Sequence, residues 1–168
     1  MGERGESSKG VTMKKEEGEE WKKVKKVKVV TSDGVTMEVE ILIVKEMKTI
    51  ETFINTSDTD IDSSIIFPLP NVTSHILNLI MELVSREYDQ ELVNRLSHDE
   101  LKEMFLAADY LNMKTLLGCI AAAIANVIKN KSVEFVRNFF HISNDFTPEE
   151  EAEIRKANEW AFQGVDKD

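Results

Sequence analysis

Three histidines, one cysteine and several spaced carboxylates are the residues of this sequence whose types could do chemistry. His75, His98 and His141 would need further ligands at metal-binding spacing, yet they lie 23 and 43 residues apart with no Cys or carboxylate at such spacing, so no metal site is expected. Cys119 falls beside the apolar stripe of a helical stretch with no basic group near it in sequence, which predicts an inert, buried thiol and not a nucleophile. Asp58, Asp60 and Asp62 alternate in a polar stretch, but a calcium loop also needs a central Gly and a closing bidentate Glu, and neither is present. Gly118 and Gly164 stand singly, so no glycine-rich loop cradles a phosphate. Acid pairs such as Glu149 with Glu153 read as a solvated face and not as a general acid and base. The expectation is a protein that is no enzyme and carries no cofactor.

The elements behind those residues must therefore serve something other than catalysis. A chain of 168 residues is sized for one ordinary domain, and 42% hydrophobic residues with only 3 Pro and 7 Gly supply a core. No apolar run approaches the roughly 20 residues of a membrane-spanning helix, so no membrane partner is expected. A single cysteine forms no internal disulfide and fits a reducing compartment, and the expected location is the cytoplasm and nucleus. The net charge of −10 is unevenly spread: residues 1–26 carry eight bases and six acids, leaving 13 bases against 25 acids on residues 27–168. So acidic a body repels phosphate backbones, which excludes nucleic acid as an expected partner.

Residues 1–23 contain almost nothing apolar besides Val11, Met13 and Trp21 and are expected to be a disordered tail. The basic run from Lys22 to Lys28 suits a nuclear import signal, but the reading preferred here is a solvated approach to the first strand. Val27, Val29 and Thr31, the turn signal Ser32-Asp33-Gly34, and Val35, Met37, Val39 and Ile41 predict a β-hairpin, with Asp-Gly supplying the positive φ angles of a tight turn. Met47, Ile50, Phe53 and Ile54 then form one side of a helix, a polar loop runs from Asn55 to Ser64, and Ile65 to Val72 holds a short buried strand with Pro68 and Pro70. Beyond it the chain reads as helix. Ile76, Leu79, Ile80 and Leu83 make one stripe, and Leu92, Val93 and Leu96 a short second one. Ser97 with Glu100 forms a capping box for the third, and Asn112 is the expected N-cap of a fourth running through Leu116, Ile120 and Ile124. The expected class is α+β, a small three-stranded sheet with helices.

One segment departs from ordinary core. Ser132 should cap a helix of about eight residues in which Val133, Val136 and Phe140 project away from Phe135 and Phe139, giving two apolar stripes where a short surface helix needs one. Thr147, Pro148 and Glu150 then open a last helix carrying Ile154, Ala157, Trp160, Ala161 and Phe162 within a segment, residues 141–168, that holds eight acids and three bases. Two accounts stand open on composition: these helices complete the core, or they leave an apolar groove with a charged rim for another protein, Trp160 being its anchor.

The stretch F-L-A-A-D-Y-L-N-M-K-T-L-L, then A-N-V-I-K-N-K-S-V-E-F-V-R and N-D-F-T-P-E-E-E-A-E-I-R-K-A-N-E-W-A-F, together with Thr31-Ser32-Asp33-Gly34 and P-L-P-N-V at Pro68 to Val72, resembles the Skp-type adaptors of SCF ubiquitin ligases over residues 26–163. The resemblance implies a BTB/POZ-like, cullin-docking domain over 24–130, two C-terminal helices over 131–163 that receive the F-box of a substrate receptor, and a short tail at 164–168. It implies F-box contacts at Leu117, Ile124, Ile128, Val136, Phe140, Ile142, Phe146 and Trp160, and cullin contacts at the turn of Ala108, Asp109, Tyr110, Leu111 and Asn112. Asp109 stands where the family has Asn, which removes an amide donor and adds a negative charge. The long acidic insertion of many members is missing between Arg86 and Gln90, and more than 20 residues precede the first strand. The implied function is a non-catalytic adaptor bridging F-box receptors to a cullin for ubiquitin-dependent degradation. The alternatives are an F-box-binding protein that engages no cullin, acting as chaperone or sequestering partner, and an elongin-C-like adaptor, for which the terminal helix would have no purpose. Self-association through an empty groove is a further expectation.

Overall fold

The computed structural model describes residues 26–56 and 66–165. The tail expected at 1–23, the polar loop from residue 57 onwards, and residues 166–168 of the expected C-terminal tail lie outside the described residues.

Strands β1 (Lys26–Thr31) and β2 (Thr36–Glu40) pair antiparallel, and β3 (Ile66–Leu69) adds to the other side of β1 in parallel, giving the order β2-β1-β3. Period-two alternation turns Val27, Val29, Val39, Phe67 and Leu69 inward, while Lys26 and Glu38 face solvent and pair at 3.4 Å. The hairpin loop differs from the tight turn expected for Asp-Gly. Only Gly34 has a positive φ, of 78°, and the Thr31 N–H donates to Val35 O at 3.0 Å around a three-residue loop. Asp33 is used by its side chain instead. Its carboxylate accepts from Thr31 Oγ1, from the Ser74 N–H at 3.0 Å and from Ser74 Oγ at 2.6 Å, which pins the hairpin to a helix start and holds its pKa down at about 2, with the Ser74 hydroxyl the largest cause.

Ile41, expected in the second strand, opens the short helix α1 (Ile41–Val44), which buries Ile43 and Val44. In α2 (Lys48–Thr56) Ile50 and Ile54 are buried as expected, whereas Phe53 is mostly exposed and sets its ring edge-on to Phe67. Helices α3 (Ser74–Ser85), α4 (Gln90–Arg95), α5 (His98–Tyr110) and α6 (Lys114–Ile128) complete the core with Ile76, Leu77, Ile80, Leu83, Val93, Leu101, Met104, Leu116 and Ile120. The Ser97–Glu100 capping box forms. Asn112, by contrast, is no N-cap. It takes the left-handed conformation, φ 52°, just past the end of α5, where its N–H bonds Asp109 O and that of Met113 reaches back to Ala108 O, each at 2.9 Å. Asn suits both helix ends, and a three-residue connection leaves room for one: the left-handed stop won, and α6 starts at Lys114 with Met113 at the N-cap position and no side-chain cap. Two more helices, α7 (Val133–Phe140) and α8 (Pro148–Ala157), follow, so the sheet of three strands carries eight α-helices among the described residues, an α+β architecture.

Candidate protein-binding surface

Ser132 caps α7 by accepting from the Phe135 N–H at 3.0 Å, so the helix starts in the register expected from its sequence. Its two apolar stripes then part. Phe139 is buried against α5, with its ring 5.1 Å from that of His98 and Lys102 Nζ 5.4 Å above it, and half-buried Phe135 also meets His98. Val133 and Phe140 on the opposite side are exposed, with Val136 between them half-buried. His141 ends the helix in the left-handed conformation, the Ile142 N–H reaching back to Arg137 O at 2.8 Å. The chain emerges carrying Ile142, 57% exposed, and Phe146, 46% exposed.

Thr147 and Glu150 cap α8 reciprocally, with Pro148 at the first helical position and Glu149, Glu150 and Glu151 answering the helix dipole. Helix α8 buries no residue. What holds it to α7 is polar: Glu151 accepts from Arg137 at 3.2 Å, Arg155 at 3.1 Å and Asn144 at 3.0 Å, while Arg155 also pairs with Glu134. The same guanidiniums lie over aromatic rings, Arg137 at 6.0 Å from Phe146 and Arg155 at 5.3 Å from Phe162. A 3-10 turn (Glu159–Phe162) follows and presents Trp160, 73% exposed. With α8 tied by charge instead of by burial, its apolar side chains stay on the surface.

Hydrogen bonds from Arg155, then Arg137 and Asn144, hold the Glu151 carboxyl below the usual carboxylate range. A depressed folded-state pKa stabilises above the unfolded value and is lost as pH falls through the folded one. The tether of α8 is therefore expected to be complete above about pH 5 and to weaken below the ordinary glutamate value of about 4.3. Amide exchange across 148–157, corrected for intrinsic pH dependence, should accelerate there while α3 stays protected. A Glu151→Gln variant should show the loosened behaviour already at neutral pH, and unchanged exchange in it would refute the tether.

Of the residues expected at an F-box contact, Phe140, Ile142, Phe146 and Trp160 are exposed, and Val136, Leu117 and Ile128 are half-buried. Ile124, 8% exposed, belongs to the core, because it continues the Leu116 and Ile120 stripe by one more turn. Two exposed residues outside the expected contact set, Val133 and Ile154, add to this surface. Val133 was legible as a member of the outward stripe of α7; Ile154 was not, since nothing in sequence says that α8 packs on no core.

At the α5 end, Asp109 and Asn112 are exposed and Tyr110 is half-buried, but Ala108 and Leu111 are fully buried. The turn is fixed from behind: Thr49 donates its hydroxyl to Tyr110 O at 2.7 Å and its N–H to Leu111 O at 3.3 Å. Cys119 is half-buried, and burial pushes its thiol up. Among the described residues no group of three or more His, Cys, Asp or Glu is placed to hold a metal ion, and no helix is long and apolar enough to cross a membrane.

Residues 25–88 match the tetramerisation domain of the Skp1 family and residues 114–161 match its dimerisation domain. The chain is 38% identical over 161 residues to SKP1-like protein 1A of Arabidopsis thaliana, covering 83% of this chain and 98% of the relative. It is 36% identical over 149 residues to SKP1-like protein 14 of the same plant, covering 82% and 97%. To the S-phase kinase-associated protein 1 homolog of Tetrahymena thermophila it is 33% identical over 163 residues, covering 83% and 96%. An α+β domain with a small sheet, two C-terminal helices with an outward apolar surface, and relatives matched over nearly their whole length agree: the chain belongs to the Skp1 family.

Proposed function

We infer that this Skp1-family adaptor joins an F-box substrate receptor to a cullin scaffold in an SCF-type ubiquitin ligase, without catalysis of its own, in the cytoplasm and nucleus. The observation that carries the reading is the apolar surface of α7, α8 and the following turn, where Trp160, Phe140, Ile142, Phe146, Ile154 and Val133 are all exposed. Such a cluster on a −10 protein demands a partner with apolar side chains of its own. Residues 131–163 would seat the F-box, and the 24–130 portion would dock on the cullin through Asp109, Tyr110 and Asn112 around the turn. A rigid body holding receptor and scaffold raises the effective concentration of bound substrate at the scaffold-bound enzyme, which accelerates transfer by proximity alone. With no receptor present, the same surface supports self-association.

Asp109 favours a second reading, in which F-box proteins are bound but no cullin is engaged. An exposed carboxylate stands where the family has an amide at the docking turn, so a partner acceptor that the amide would satisfy meets a group with no hydrogen to donate. Titration of a cullin N-terminal fragment onto the chain in complex with an F-box peptide separates the two. On the bridging reading the natural chain binds, and Asp109→Asn tightens binding by no more than about tenfold, on the order of 1.4 kcal/mol. Absence of binding by the natural chain with recovery in Asp109→Asn would leave the second reading, and failure of an F-box panel to bind at all would remove both.

A further inference from the structure

Helix α7 stops on His141 in the left-handed conformation, φ 54°, a place that Gly or Asn usually takes. Glycine there would serve the backbone alone, whereas an imidazole also brings two ring nitrogens. One of them is used: His141 Nε2 lies 2.9 Å from Lys102 Nζ of α5. An ammonium only donates, so Nε2 is the acceptor, which requires a neutral ring with its proton on Nδ1. Lys102 is held in place for this contact from two further sides. Its Nζ is 2.8 Å from Asp99 Oδ1, one turn earlier on α5, and 5.4 Å from the centroid of the buried Phe139 ring, and its side chain is only 17% exposed. The hydrogen bond from Lys102 is the largest cause holding the Asp99 carboxyl below the usual carboxylate range. Asp99 Oδ1 also stands 4.0 Å from His141 Nε2. Among the described residues, the other hydrogen bonds of 141–147 run to α7, to α8 or within the segment, so the bond to Lys102 alone ties it to the helices of the core.

We propose that Lys102 and His141 are positioning residues of the F-box seat: their bond, braced by Asp99, fixes the direction in which the chain leaves α7 and so holds Ile142 and Phe146 outward for a receptor. The bond stands on its geometry; its effect on receptors rests on the function proposed above. Residue 141 is the pivot, because a rotation there carries both exposed apolar side chains with it. A segment already ordered in the free chain has less freedom to lose on binding, so the bond raises receptor affinity without touching the receptor.

Two substitutions in the full chain remove the bond from opposite ends. Lys102→Met keeps an aliphatic stem over Phe139 and deletes the donor, and His141→Ala deletes the acceptor. Ring-nitrogen NMR at about pH 8 should find the His141 proton on Nδ1 in the natural chain and shifted toward Nε2 in Lys102→Met. Amide exchange across 142–146 should quicken in both variants while α3 keeps its protection. Each single variant should bind a synthetic F-box peptide about three- to tenfold more weakly, the size of one hydrogen bond. The double variant should match the weaker single one to within about twofold, since both changes remove the same contact. A His141 tautomer unaltered by Lys102→Met overturns the bond. An altered tautomer with equal peptide affinity in natural chain and variants overturns the positioning role, as do losses that simply multiply in the double variant. If the natural chain binds no F-box peptide while tautomer and exchange still respond to Lys102→Met, the function proposed above fails and the ordering of 142–146 by this bond survives.

Discussion

Trp160→Ala should weaken binding of an F-box peptide by about 30- to 1,000-fold, the roughly 2–4 kcal/mol that a central aromatic anchor carries in a protein interface. The same substitution should leave thermal stability nearly unchanged. Trp160 is 73% exposed in the free chain, so only about a quarter of its surface is covered on folding and its removal costs little, within about 1 kcal/mol. That separation between affinity and stability is the diagnostic. If Trp160 instead completed the core, the variant would lose both, and calorimetric titration beside a melting curve distinguishes the cases. Peptide affinity unaltered by the substitution would move the binding surface away from the 3-10 turn altogether. Val136, half-buried on the same outward stripe of α7, provides an internal comparison: Val136→Asp places a carboxylate in an apolar contact and should also weaken the peptide.

Leu116→Ala makes the opposite prediction. Leu116 is 0% exposed in the first turn of α6, on the stripe that continues through Ile120 and Ile124 into the core shared with α5. Truncating a fully buried leucine removes transfer energy and opens a cavity, at about 2–5 kcal/mol. For a domain of this size each kcal/mol lowers the melting temperature by roughly 2–4 °C, so a fall of about 5–15 °C is expected by differential scanning calorimetry. Well below its melting temperature the variant should still bind the F-box peptide, since the outward surface of α7 and α8 is built from other residues. A melting temperature lowered by less than a degree would mean that the α5–α6 core is not packed as described.

Local features carried over from sequence to structure with little loss. The Ser97–Glu100 and Thr147–Glu150 capping boxes and the Ser132 cap all form, because the groups they join are three residues apart and need no other part of the fold. The two stripes of α7 were legible for the same reason: a helical period assigns Phe135 and Phe139 to one side and Val133, Val136 and Phe140 to the other whatever surrounds them. Errors arose where one local motif has two uses. Asn112 caps either end of a helix, Asp-Gly serves turns of two or three residues, and an apolar Ile41 extends a strand or opens a helix with equal ease.

Which apolar side was covered could not be read from periodicity at all. Ile124 and Leu111 share the hydrophobic character of Ile142 and Phe146, yet the first pair is enclosed and the second pair is exposed. The parallel pairing of β1 with β3, the burial of α7 on His98, and the attachment of α8 by Glu151, Arg137 and Arg155 each join residues distant in the chain. Spacing along the chain settles hydrogen bonds between near neighbours and the angular position of each side chain on its own helix. Solvent exposure is a sum over everything that packs nearby, so the existence of two apolar stripes came from the order of residues, and the choice of the one left facing water came from the assembled helices.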